Sequence, residues 1–173
     1  MALDGLNKGR NEEEKALDTL MHDWKKCTSR VFHVLGNHEL YCFNKDEARR
    51  RFDMAAWNYV HSPKPGFKII VCDAYGMSTL TPDLAEESFQ YLEKHNPNNV
   101  RSTKVDWVKD LKGLDRRYVP YNGGLGAAQL KWLEKELDCD DKIIVCSHIP
   151  LCPGSAVGKC ECRVEKLYFI LLF

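Results

Sequence analysis

"HVLGNHELYCF", residues 33–43, runs an apolar stretch straight into Gly36, Asn37, His38 and Glu39. Taken alone, the segment reads in two ways. Gly-Asn is a common turn pair, and a solvated His and Glu beside it need no further role. The other reading is a strand that ends at Gly36 and delivers an amide, an imidazole and a carboxylate to one rim. "RVFHVL", residues 30–35, is short, β-branched and aromatic, which predicts a buried strand.

The rest of the chain bears on that choice. "GFKIIVCDA" (66–74) and "DKIIVCSHIP" (141–150) are further apolar runs that end in polar residues, and His148 stands just past the second. Residues 31–35, 67–73 and 142–147 are therefore expected as neighbouring, mainly parallel strands of one sheet. Asn11 with Glu14 resembles a helix N-cap pair, and Leu17, Leu20, Met21, Trp24 and Cys27 recur at helical spacing to about Ser29. "DEARRRFDMAAWNYV" (46–60) reads as a helix running towards Pro63. "PDLAEESFQYLEKHNPNN" (82–99) starts one with Pro82 in its first turn and stops before Pro97. "AAQLKWLEKEL" (127–137) is the clearest helix, whereas residues 98–125 carry no period and predict a long surface segment. Alternating helices and strands give an α/β fold, whose ligands gather outside the carboxyl ends of strands. Asn37, His38 and His148 then face one rim.

Composition narrows the classes. Lys plus Arg and Asp plus Glu both total 25, so the net charge is zero and no basic excess points to nucleic acid or anionic lipid. An apolar fraction of 44% suffices for a core. The N-terminus lacks the apolar run of a signal peptide, and the closing "LYFILLF" is far shorter than the ~20 residues that span a bilayer. The eight cysteines are scattered, and Cys72 and Cys146 sit in β-like runs. A reduced, cytoplasmic, monomeric chain is expected, with no nucleic-acid or membrane partner. His148, Cys152, Cys160 and Cys162 lack a usual zinc spacing; spare thiols or a zinc-binding interaction segment are the two readings of that cluster.

"GNHE" after one strand and "VCSHIP" after another resemble the calcineurin-like metallophosphoesterase family. "DAYGMSTLTPD", "HNPN", "YNGGLGAAQLKWL" and "IIVCSHIPLCPGSA" are similar to its branch of manganese-dependent ADP-ribose/CDP-alcohol diphosphatases. The resemblance implies a layered α/β/β/α sandwich and a two-metal centre that clamps and polarises a phosphoryl group. It implies hydrolysis of the diphosphate bond of a nucleotide diphosphate such as ADP-ribose or a CDP-alcohol. It assigns Asn37 and His148 as ligands of one divalent ion, with manganese suiting an amide oxygen plus an imidazole. His38 matches the histidine that protonates the leaving group, and "LDG" (3–5) makes Asp4 its orienting partner. Glu39 is expected to support the loop. Tyr121, Asn122, Gly123 and Gly124 are candidates for the substrate pocket, where glycines let a backbone approach a ligand; a plain turn is the other reading.

The departures from the family pattern set a further expectation. If Asp4 closes the family's "GDxxDG", the slot of a metal-bridging aspartate falls on Met1, and no histidine follows His148 to supply a "GHxH" pair. A partial phosphoesterase domain over 1–156 with an incomplete sheet and a divergent tail over 157–173 is the expected organisation. Such a chain would hold at most one ion, weakly. Its alternative role is that of a non-catalytic module that binds a nucleotide or a partner.

Overall fold

The computed structural model describes the backbone of residues 2–151 and 167–171, and the side chains of residues 12–151. Two apolar strands form its centre. β2 (Phe67–Val71) runs parallel to β5 (Lys142–Ser147), with Ile69 opposite Ile144 and Ile70 opposite Val145. Successive side chains alternate between faces, so Ile70, Cys72, Ile143 and Val145 share one face. Helix α5 (Gly126–Leu137) covers it with Trp132, Leu133 and Leu137. Ile70 and Val145 are buried almost completely, a contribution of roughly 1.5–3 kcal/mol each.

β1 (Tyr59–Lys64) flanks β2 antiparallel, and β6 (Leu167–Leu171) adds parallel to β5, giving the order β1-β2-β5-β6. The chain is thus α/β with a mainly parallel sheet. β6 falls within the stretch expected to be a divergent tail, and the boundary at 156 lies outside the described residues. A second core packs α1 (Ala2–Trp24), α2 (Asn37–Cys42) and α3 (Lys45–Arg51) through Leu17, Leu35, Phe43, Ala48 and Phe52.

Three sequence-based expectations are corrected. Residues 30–35 form no strand: the backbone of His33 pairs with a side chain, donating to Tyr59 Oη at 3.1 Å and accepting from it at 2.8 Å. An apolar, β-branched run specifies extended backbone, but a ladder also needs a second backbone alongside. Among the described residues this segment has none. The helix expected over 46–60 stops at Arg51, and Tyr59 and Val60 belong to β1 instead. Pro63 stops no helix: it lies in an edge strand, where a missing N–H costs nothing, next to a register shift between His61 and Lys64. Asn11 is no N-cap, because α1 already begins at Ala2.

The segment 98–125 has little regular structure yet is firmly tied. Asn96 Nδ2 donates to the carbonyls of Trp107 and Tyr118, at 2.9 and 2.6 Å. Ser78 Oγ donates to Asn122 O and Thr79 Oγ1 to Pro120 O. A two-residue ladder, β3 (Met77–Ser78) with β4 (Gly123–Gly124), completes the attachment. α4 (Ala85–His95) follows a short 3-10 turn at Pro82–Leu84. Among the described residues, no helix is long and apolar enough to cross a membrane.

Candidate metal and substrate site

The rim beyond β5 carries His148, and α2 carries Asn37. His148 Nε2 lies 3.1 Å from Asn37 Oδ1, so the two polar clusters converge, although one of them follows a segment that is not a strand. The amide is held in that orientation from its other side: Asn37 Nδ2 donates to Tyr41 Oη at 2.8 Å, one helical turn away. Glu39 reaches back to accept from the Gly36 N–H at 2.7 Å, the loop-supporting role expected of it. Burial lowers the pKa of His148, with the Glu39 carboxylate opposing and His38 adding to the effect. Burial thus disfavours the protonated ring, and the neutral form is the one that can ligate a metal.

Two donors bonded to one ion at about 2.0–2.3 Å, and roughly at right angles, sit about 3 Å apart. The 3.1 Å separation fits that geometry, and an amide oxygen with an imidazole is a donor set that suits a divalent ion. No group of three or more His, Cys, Asp or Glu among the described residues could hold a metal ion. His38 is exposed on α2, its ring 5.4 Å from that of Tyr41. Asp4 lies within α1 rather than in a loop after a strand, and its side chain is outside the described residues. Cys160 and Cys162 also fall outside them; Cys27, Cys42, Cys72, Cys139 and Cys146 are not in disulfides.

Asn37 and His148 line a cavity of about 900 Å³. Tyr121, Asn122, Gly123 and Gly124 line the same cavity, so the sequence candidates for the pocket share it with the candidate ligands. Their individual parts differ. Asn122 spends its amide on the Arg117 carbonyl, at 2.9 Å. Gly123 is required by packing, since a Cβ there would stand 2.5 Å from Ala74 O. Gly124 has open space around it, and Tyr121 is exposed.

Residues not foreseen from the sequence build the back wall. Tyr75 is 1% exposed, and its ring centroid is 6.1 Å from that of His148. Gln129 fixes the turn that carries it: Asp73 N donates to Gln129 Oε1, and Gln129 Nε2 donates to Asp73 O, both at 2.8 Å. Asp73 Oδ1 then accepts from Tyr75 N, while Lys45 pairs with Oδ2 of the same carboxylate and donates to Tyr75 O. One signal was available in the sequence. Gln129 falls on the Trp132–Leu133–Leu137 stripe of α5, an apolar face where a polar side chain needs a partner.

The calcineurin-like phosphoesterase model matches residues 4–162. The chain belongs to the calcineurin-like phosphoesterase family. Similar members include manganese-dependent ADP-ribose/CDP-alcohol diphosphatases from Danio rerio, Oryza sativa subsp. japonica and Homo sapiens. The first is 31% identical, covering 91% of this chain and 56% of the relative. The rice protein is 33% identical over 82% of this chain and 46% of its own length, and the human one 29% identical over 91% and 52%. A solved dimetal phosphatase from Danio rerio superposes with a TM-score of 0.72 at 29% identity, covering 85% of this phosphoesterase chain and 52% of that one. The chain spans about half the length of the relatives it matches.

Proposed function

We propose that this chain carries part of the centre of a metal-dependent nucleotide diphosphatase, acting on the diphosphate bond of ADP-ribose or a CDP-alcohol. One observation supports the reading above the others. Asn37 Oδ1 and His148 Nε2 stand 3.1 Å apart in the wall of a cavity large enough for a nucleotide. Asn37 and His148 would hold one divalent ion, manganese by likeness to the named relatives. Bound there, the ion would draw charge off the phosphoryl oxygens.

The chain's own residues do the rest of the proposed work. Tyr41 keeps the Asn37 oxygen turned towards the ion, and Glu39 holds the loop beneath it. His38, next in sequence to Asn37, donates a proton to the leaving oxygen, with Asp4 as its proposed orienter. Tyr121 and Gly124 border the space where the substrate lies.

A second reading is favoured by the donor count: a catalytic ion usually has three protein ligands, and two are assembled among the described residues. On that reading the 173-residue chain binds the nucleotide without turning it over. Calorimetric titration with ADP-ribose, with and without manganese, tests the proposal. Binding that requires manganese and disappears in Asn37→Ala and His148→Ala is expected. Equal binding in the absence of manganese, or in both variants, would overturn it. Release of AMP measured in the same samples separates the two readings, with binding but no hydrolysis expected of this chain.

A further inference from the structure

Tyr75 stands between the two segments that carry the candidate ligands. It belongs to one buried cluster with Leu40 of α2, three residues on from Asn37, and Ile149, the residue after His148, packs against the same cluster. Its ring centroid lies 6.1 Å from that of the His148 imidazole, inside the range in which aromatic rings attract.

The hydroxyl end of the ring reaches Asn37. Burial raises the pKa of the Tyr75 hydroxyl, and a hydrogen bond with the Asn37 backbone opposes that rise. A bond that favours the ionised oxygen is one donated to it, so the Asn37 N–H is the donor. That N–H lies in the first turn of α2, where helical amides have no carbonyl of their own helix to bond. The Tyr75 hydroxyl does for Asn37 what the Glu39 carboxylate does for Gly36. Tyr41 orients the Asn37 side chain, and Tyr75 holds the backbone from which that side chain springs.

Tyr75 has little room to move. Its N–H donates to Asp73 Oδ1 at 3.0 Å, and its carbonyl accepts from Thr81 Oγ1 at 2.9 Å and from Lys45 Nζ at 3.1 Å. A buried side chain pinned at both backbone groups and touching both ligand segments passes its own position on to them.

We infer that Tyr75 is a positioning residue of the candidate metal site: its hydroxyl sets the backbone of Asn37, its ring backs His148, and together they hold the two donors 3.1 Å apart. This inference rests on the reading of Asn37 and His148 as metal ligands and assigns a role to a residue outside the ligand set.

The test compares the full chain with Tyr75→Phe, which keeps the ring and removes the hydroxyl, and with Tyr75→Leu, which removes the ring. Manganese affinity is read by electron paramagnetic resonance, and amide hydrogen exchange by nuclear magnetic resonance on metal-free protein. Tyr75→Phe is expected to weaken manganese binding by about tenfold, the lower end of the cost of losing a ligand's support. Its Asn37 amide should exchange about tenfold faster, as for one lost hydrogen bond, while the amides of Ile70 and Val145 at the sheet centre exchange as before. Tyr75→Leu should bind manganese more weakly still; if it does not fold, Tyr75→Phe decides alone. A merely structural role would speed all three amides together. That result, an unchanged Asn37 amide or an unchanged manganese affinity in Tyr75→Phe would overturn the inference while leaving the diphosphatase reading in place. Failure of the unmodified chain to bind manganese would overturn both.

Discussion

Gly36 lies against the imidazole of His148: a Cβ at Gly36 would stand 2.7 Å from Cε1 and 2.8 Å from Nδ1. The glycine that opens α2 is thus a packing surface for the histidine that follows β5. Neither Cε1 nor Nδ1 can yield without moving the whole ring, and Glu39 Oε2, at 3.0 Å from the same position, closes the third side. Gly36→Ala should therefore swing His148 away from Asn37. A manganese affinity lower by about 10–100-fold is expected, the usual cost of disturbing a ligand's support, with the far-ultraviolet circular dichroism unchanged. Electron paramagnetic resonance titration of free manganese measures it.

Tyr41 offers a gentler change at the same site. Tyr41→Phe removes the acceptor of Asn37 Nδ2 and leaves the amide free to rotate, so the oxygen is no longer held towards His148. Manganese affinity should fall by about tenfold, while stability changes little because Tyr41 is half exposed. An affinity equal to that of the unmodified chain would show that the amide is oriented by other means.

The clasp of Gln129 on Asp73 predicts a loss of stability. Gln129→Leu keeps the shape of the side chain, strands the N–H of Asp73 and leaves its carbonyl with only the long bond from the Gly76 N–H, at 3.4 Å. A destabilisation of about 1–3 kcal/mol in urea unfolding is expected, as for a buried group left unpaired. Tyr59→Phe should act similarly on the backbone of His33, which has the Tyr59 hydroxyl as both donor and acceptor.

His33 supplies a dependence on pH. Its ring packs against those of Trp24 and Phe52, at centroid distances of 4.6 and 5.2 Å, and burial lowers its pKa against the opposing pull of Asp53. The unfolded chain then binds a proton more readily than the folded one between the two pKa values. Stability must rise with pH through that window. The contribution is complete above the ordinary histidine value of 6.5 and is lost as the pH falls through the folded one. Urea midpoints at a series of pH values should show this slope flattened in His33→Gln.

The sequence revealed elements wherever one periodicity governed the whole run. The strands at 67–71 and 142–147 are short, apolar and bounded by polar residues, and α5 repeats its apolar residues at helical spacing over three turns. His148 was legible for a related reason: a polar side chain at the end of such a strand has nowhere to go but the rim, whereas Asn37 follows a segment that forms no strand and was legible through the "GNHE" motif. Residues 30–35 misled because a strand is a property of two chains of backbone, and the sequence of one says nothing of its neighbour. Residues 52–60 misled because Phe52, Met54, Trp57 and Tyr59 serve one core by way of a turn rather than a helix. The start of α1 was hidden by Gly5 and Gly9, poor helix formers in a stretch with little apolar period. Spacing along the chain places Gln129 on the apolar face of α5, but its partner, the backbone of Asp73, lies across the fold, where no spacing encodes it.

The proline in β1 also decides how copies of this chain could add to one another. A sheet that can be extended from both sides can grow without end, each copy offering a template to the next. Pro63 and the register shift beside it blunt one side of this sheet. Among the described residues, the β6 side of this sheet is the one left for strand addition, and a surface used head to head is consumed once two copies meet. A head-to-head association at that side terminates as a pair instead of propagating into a fibre.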